Sequence, residues 1–464
     1  MDLEIFLTNT LSKRKELFIP ITPGKVKLYQ CGPTVYWTQH IGNMRAVVIT
    51  DLLVRTFSYV EYDVSFARNY TDVGHLTSDE DSGEDKMEKG AKREGKTPDE
   101  IAQKYIDIFE KDITELNARP PYAKPRATEY INEMIDMIDI LLKKGFAYKT
   151  PLAIYFDVSK AKEYTRLSGQ ILEHNIEEAG KGTVSDPEKK HPEDFSLWFF
   201  KAGAHEKALQ TWKNPFDEKE GFPGWHLECS AMIKKILGTT IDIHMGGIEH
   251  IPVHHTNEIA QSESANDAPL AHYWLHYEHL LVDGKRMSKS EGTSYSLADV
   301  REKGFDPLAL RYFLLNSHYR SKQNFTWEAL EGAQTALRRL QASLGSNESG
   351  TVNEAYRARF TKYITDDLDT PRALALVWEL VKDQTIPPED KTATLIDFDR
   401  VLGLGLTVRK EETIPEDIAV LMHAREQARQ AKNWAESDRL RDEIKSIGWD
   451  VLDTPEGQKV SKIS

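Results

Sequence analysis

Tyr29-Gln30-Cys31-Gly32-Pro33-Thr34-Val35-Tyr36-Trp37-Thr38-Gln39-His40-Ile41-Gly42-Asn43-Met44-Arg45 is the stretch whose reading decides the fold. Ahead of it, Val26-Lys27-Leu28-Tyr29 alternates apolar and polar residues and predicts a short strand. Behind it, apolar residues from Met44 to Val60 recur at helical spacing. Gly32-Pro33 breaks the strand, and a polar segment ending at His40 leads into the helix. Such a strand–turn–helix presents His40 and Asn43 near a helix N-terminus, where unpaired backbone N–H groups and the helix dipole suit phosphate. Cys31 stands at the mouth of the same turn, so a ligand there meets a thiol on one side and an anion site on the other.

A chain of 464 residues exceeds a single core and predicts about three or four domains. Its 40% hydrophobic and 29% charged content exclude wholesale disorder. No apolar run approaches the ~20 residues of a membrane helix. The opening Met1-Asp2-Leu3-Glu4 has no signal pattern, and a cytoplasmic protein is expected. Cys31 and Cys229, the 2 cysteines, cannot form a disulfide framework and fit a reducing compartment. By count alone, two lone cysteines are more often inert core residues than ligands. The net charge of −14 argues against nonspecific nucleic-acid binding and leaves an RNA partner to local groups of basic residues.

Along the chain, residues 1–118 alternate strand and helix, with a second strand over Val64–Thr71 and a long helix from Asp99 to Asn117. The charged stretch Thr77–Lys96 reads mostly as a solvated loop. Arg119-Pro120-Pro121 and Lys124-Pro125 mark the start of an insertion, 119–215, carrying a helix (Thr128–Lys144), a strand (Ala153–Asp157) and a polar loop. Sheet-forming sequence resumes over 216–275 with a strand from Thr239 to His244 and a helix from His254. Residues 276–330 hold a short strand, His279–Val282, and turn helical from Pro307. A helical bundle over 331–410 and a small unit over 411–464, with two helices and an extended tail, complete the chain.

Three further features carry chemistry. Gly246-Gly247 ends a strand, and two missing side chains let a flat ligand approach the backbone, although plain turns share this pattern. His254 and Glu258 lie four apart on one helical face; alone they read as a surface pair, but with Cys31 and Cys229 they form a set suited to Zn²⁺. Asp283-Gly284-Lys285-Arg286-Met287-Ser288-Lys289-Ser290-Glu291-Gly292 is cationic and glycine-bearing, a loop able to close on phosphates or simply a solvated basic turn.

Together, His40-Ile41-Gly42-Asn43 and Arg286-Met287-Ser288-Lys289-Ser290 resemble the two signature motifs of class I aminoacyl-tRNA synthetases. Within that class the chain resembles the cysteinyl-tRNA synthetase family. The residues that carry this are Cys31-Gly32-Pro33-Thr34-Val35-Tyr36, Asn69-Tyr70-Thr71-Asp72, Gly224-Trp225-His226-Leu227-Glu228-Cys229 and His254-His255-Thr256-Asn257-Glu258. The resemblance implies an α/β fold: a Rossmann-type parallel-sheet catalytic domain with an insertion, then a stem-contact region, a helical bundle and a C-terminal anticodon-binding domain. It also implies a reaction in which L-cysteine and ATP, with Mg²⁺, give cysteinyl-adenylate, and the cysteinyl group passes to tRNA-Cys. By position, Cys31, Cys229, His254 and Glu258 would bind one zinc per chain. Gly32, Thr71 and Trp225 would line the amino-acid pocket. His40, Gly42, Asn43, Gly246, Gly247 and Lys289 would hold ATP, with His40, Asn43 and Lys289 acting in catalysis. A monomer is expected.

Four protein ligands normally close a structural zinc site. The family implies that the substrate sulfur joins them, which selects cysteine over serine without an editing domain. Departures from the family pattern include Arg286 for a lysine, Met245 for a glycine, Glu249 for an aspartate and Pro252-Val253 for Phe-Pro. The tail Asp453–Val460 lacks a terminal tryptophan, so an aromatic stacking contact to an anticodon base is either missing or supplied from elsewhere, such as Trp449. Two rivals remain: a cysteine ligase of the mycothiol type, which would lack residues 411–464, and a non-catalytic paralogue. Arg425, Arg429, Lys432, Arg439 and Arg441 read either as an RNA surface or as a solvated helix pair.

Overall fold

The computed structural model describes residues 4–73, 85–170, 186–288, 292–345, 350–406, 414–454 and 457–462. It divides into two compact units, Met1–Thr407 and Val408–Ser464.

The first unit is built around a four-stranded, all-parallel sheet in the order Ala271–Tyr277, Ile241–Gly247, Lys25–Gln30, Asp63–Arg68. From Lys25–Gln30 the chain crosses through the helix Ile41–Tyr59 to reach Asp63–Arg68 on one side. From Ile241–Gly247 it crosses through His254–Asn266 to Ala271–Tyr277 on the other. The strand order therefore reverses between Lys25–Gln30 and Ile241–Gly247. A crevice opens there at the carboxyl ends of the strands, the place where parallel α/β sheets bind ligands. Both faces of the sheet are covered: Val26, Leu28, Phe66, Ile243 and Leu275 are buried in one core, and Tyr29, Ala67, Ile241 and Trp274 in another.

Ala147–Lys149, Ala153–Phe156 and Phe195–Phe200 of the insertion form a separate antiparallel sheet with Gly221–Pro223, which lies past the expected boundary at 215, packed with the helix Ile131–Lys144. Helices Pro307–Leu315, Trp327–Ala342, Glu354–Ile364, Thr370–Lys382 and Pro388–Leu402 follow. The second unit pairs helices Glu416–Gln430 and Trp434–Ser446 with an antiparallel hairpin, Trp449–Thr454 and Gly457–Lys462.

Several expectations change. The charged stretch Thr77–Lys96, read as loop, contains the helix Lys86–Glu94. Asp85 caps it by accepting from the Met87 and Glu88 amides, and Gly95 ends it at φ +65°. Its narrow buried face, Met87, Gly90 and Ala91, is outnumbered by charges, which hides the period. The rest of that stretch, before Asp85, lies outside the described residues. Phe195–Phe200, placed in a polar loop, is a fully buried strand, and Ala271–Tyr277 is an edge strand of the main sheet that the periodicity did not mark. The helix expected from Thr128 begins as a 3-10 turn, Ala127–Tyr130. Trp449 does not offer a stacking face: it is buried with Ile418, Ile444 and Val451. Arg425 is buried on Asp453 and Gln458, Arg429 pairs with Asp453, and Arg439 pairs with Glu436 and Glu443, so much of the basic character is consumed within the unit.

Candidate active site

The crevice holds a cavity of about 340 Å³ lined by Gln30, Cys31 and Gly32 from one strand end, His40 and Asn43 from the helix start, and Trp225, His250 and His254 opposite. A neighbouring cavity of about 290 Å³ shares His40 and Asn43 and adds Gly42, His279, Arg286 and Met287.

His40 is the N-cap of the helix Ile41–Tyr59. Its Nδ1 accepts from the Asn43 amide at 3.3 Å, while the Asn43 carboxamide oxygen accepts from the His40 amide at 3.2 Å. The Ile41 amide donates to the Tyr295 carbonyl. The first turn thus satisfies most of the N–H groups expected to be open to phosphate. At the helix start the His40 imidazole and the Asn43 side chain instead line both cavities. A Cβ on Gly42 would collide with Met287 and lie 2.9 Å from the His40 ring, so Gly42 is the point where the second signature segment packs onto the first. Lys289 lies outside the described residues.

The four residues expected to share a metal, far apart in sequence, do converge. Cys31 Sγ lies 3.8 Å from Cys229 Sγ and 3.6 Å from the Glu258 carboxylate. His254 Nε2 is 3.7 Å from Cys229 Sγ and 2.9 Å from Glu258. A tetrahedral ion with metal–sulfur bonds of ~2.3 Å sets two sulfurs about 3.8 Å apart, matching this spacing. His254 is oriented by its other nitrogen, 3.0 Å from His226 Nδ1, and by the Trp225 ring stacked at 4.2 Å. A second set, Cys31, His244, His255 and Glu258, is equally compact; in each, the ligand atoms lie within 4.8 Å of one another. The Glu258 carboxylate accepts from His244 Nε2 at 2.8 Å, and His255 contacts Cys31 at 3.4 Å while its Nδ1 meets His276. Beside these donors His244 Nδ1 is buried with no hydrogen-bond partner, and the Tyr29 hydroxyl faces Cys229. Two thiols, imidazoles and a carboxylate gathered in one buried cluster fit a site made for a divalent ion.

Charge is distributed accordingly. Burial opposes ionisation of Cys229, yet the hydrogen bond from Cys31 and the His254 imidazole bring its thiol down to about 6. Burial and the neighbouring Cys229 push Cys31 well up. Burial also opposes charge on His254, but the Glu258 carboxylate holds it up at about 10. Without a metal the site carries one thiolate readily, at Cys229; an ion held there would also take Cys31 and His254 in their deprotonated forms.

Other expected residues take different places. Thr71 is not among the residues lining the cavity; its hydroxyl donates to Glu228 at 2.9 Å and accepts from Asn69, whose carboxamide oxygen receives the Gly32 amide. Burial holds the Glu228 carboxyl well above its usual range. At Gly246 the space of a side chain is filled by the His255 and His250 rings, with His250 Nδ1 2.7 Å from a Cβ position, and at Gly247 by the Glu249 carboxylate. The missing side chains make room for the protein's own groups rather than for a flat ligand. His226, His244, His255 and His276 had no sequence signal as a cluster. They come from one helix start, two adjacent strands and a second helix.

Residues 17–335 match the family model described as the tRNA synthetases class I (C) catalytic domain, and residues 411–460 the cysteinyl-tRNA ligase anticodon binding domain. The chain is 44% identical over 458 residues to cysteine–tRNA ligase 1 of Burkholderia lata, covering 98% of this chain and 96% of the relative. It is 41% identical to cysteine–tRNA ligase of Treponema denticola, at 95% and 96% coverage. In fold it resembles Mycobacterium tuberculosis methionyl-tRNA synthetase in complex with methionyl-adenylate, with a TM-score of 0.54 at 15% identity, covering 82% of this chain and 90% of that one. It also resembles Agrobacterium radiobacter K84 agnB2 LeuRS in its ternary complex, with a TM-score of 0.59 at 12% identity and 84% of each chain covered. With four converging donors at the sheet's switch point and matching domains at both ends, the chain belongs to the cysteine–tRNA ligase family of class I aminoacyl-tRNA synthetases.

Proposed function

We propose that the protein activates L-cysteine with ATP to cysteinyl-adenylate and transfers the cysteinyl group to tRNA-Cys. The observation that carries this reading is the convergence of Cys31, Cys229, His254 and Glu258 beside a cavity that also holds His40 and Asn43. Zinc held by those four residues would supply a soft Lewis acid that favours a thiolate over a hydroxyl. Of the two compact donor sets, the two-thiol set is favoured, because soft ligands select zinc and His226 turns His254 Nε2 toward it.

The chain's own residues do the rest. Trp225, stacked on His254, closes one wall of the amino-acid pocket, and Gly32 lines another, its missing side chain letting the Asn69 backbone close against it. His40 and Asn43 orient the triphosphate of ATP, carried with Mg²⁺, and Lys289 stabilises charge on the departing pyrophosphate. Thr71 acts through Asn69, fixing the Gly32 amide. The domain order is catalytic halves around the insertion, stem-contact region, bundle and anticodon-binding domain, in a cytoplasmic monomer. A match of residues 411–460 to an anticodon-binding domain favours this over a mycothiol-type ligase.

Cysteine-dependent ATP–pyrophosphate exchange followed by charging of tRNA-Cys tests the reading. Both are expected, with serine inactive at high concentration; efficient serine exchange would overturn selection by a metal-bound sulfur.

A further inference from the structure

We propose that Arg68 is the receptor for the α-carboxylate of the substrate amino acid, a reading that rests on the proposed function. Arg68 ends the strand Asp63–Arg68 and sits in register beside Gln30, at the same carboxyl rim as Cys31. It lines the active-site cavity although it is only 2% exposed.

Among the described residues, four arginines are fully buried: Arg45, Arg68, Arg311 and Arg425. Three of them bring their terminal nitrogens to acceptors. Arg45 reaches Gln323 and the carbonyls of His318, Tyr319 and Ser321. Arg311 meets Asp51 and the Leu116 carbonyl, and Arg425 meets Asp453 and Gln458. Arg68 differs. Its Nε donates to the Gln30 carboxamide at 2.8 Å, but Nη1 is buried with no partner, and it makes no ion pair among the described residues. The Phe66 and Phe109 rings lie 5.1 and 5.9 Å from its guanidinium carbon, which offsets part of the charge but accepts no directed hydrogen bond. A buried guanidinium without a carboxylate is costly, and a planar fork of donors matches a carboxylate.

Position decides which anion. The Arg68 stem passes beneath Gly32, its Cγ 3.1 Å from where a Cβ would stand, one residue from the thiol of Cys31. An amino acid whose sulfur reaches the cysteine pair has its carboxylate on this side. The phosphates have other cations and donors, His40 and Asn43 with Arg286 and His279, around the neighbouring cavity.

The test is equilibrium binding to the zinc-loaded full chain, read by calorimetry, of L-cysteine, its decarboxylated analogue cysteamine, and ATP. In the natural protein cysteine is expected to bind well ahead of cysteamine; equal affinities would overturn the proposal whatever the variants do. Arg68→Met is expected to weaken cysteine by about a hundredfold, leave cysteamine and ATP within about twofold, and Arg68→Lys to restore part of the loss. Equal weakening of cysteine and cysteamine would assign Arg68 to folding, and weakening of ATP alone would assign it to phosphate; either overturns the proposal. Failure of both thiols to bind the natural protein would instead overturn the functional reading, and this proposal with it.

Discussion

At Cys229 the chemistry of the whole site depends on one sulfur. The thiol lies 3.8 Å from Cys31 and 3.7 Å from His254, and is held at about 6. Cys229→Ala removes one of four donors and the thiolate most readily formed, so zinc content by atomic absorption is expected to fall from one per chain to near zero; retention of the metal would show that the set containing His244 and His255 holds it. Gly32 has a different kind of necessity. A Cβ there would strike the Asn69 carbonyl, which is backbone and cannot move aside. Gly32→Ala is expected to destabilise the protein by about 1–3 kcal/mol in urea unfolding and to raise KM for cysteine.

Between elements, the contact of Gly42 with Met287 joins the helix start to the loop after Lys285–Arg286. Gly42→Ala forces a methyl group into the Met287 side chain and the His40 ring. Pyrophosphate exchange is expected to slow by about tenfold or more, with cysteine affinity in calorimetry unchanged, because the collision lies on the phosphate side. Helix caps act at the same scale. Thr97 and Glu100 form a reciprocal capping box ahead of Pro98–Glu115, and Thr97→Ala is expected to cost about 1 kcal/mol, seen as a lower Tm.

Across the first unit, Asp51 is the joint between distant parts of the chain. This buried carboxylate accepts from Arg55 and Arg311 and from the Arg119 amide, tying the helix Ile41–Tyr59 to Pro307–Leu315 and to the start of the insertion. Asp51→Ala leaves two buried guanidinium groups without their carboxylate, and a loss of about 3–5 kcal/mol is expected in urea unfolding.

The sequence by itself determined the strand–turn–helix around Cys31, the place of His40 near the helix start, the helical second half and the four candidate metal donors that converge. Local period and turn chemistry report these directly, and the family motifs supplied the pairing of segments far apart. It did not reveal the strand Phe195–Phe200 or the helix Lys86–Glu94, because a continuous apolar run has no period and a three-residue buried face is swamped by charge. Only the tertiary structure decided that the first-turn amides are satisfied, that Gly246 makes room for imidazole rings, that Trp449 is core, and that Arg68 is buried with an unpartnered nitrogen. The physical reason is common to all four. Whether a polar group has a partner, or a glycine a neighbour, depends on which strands the sheet places side by side, and strand order is not written in any local stretch of the chain.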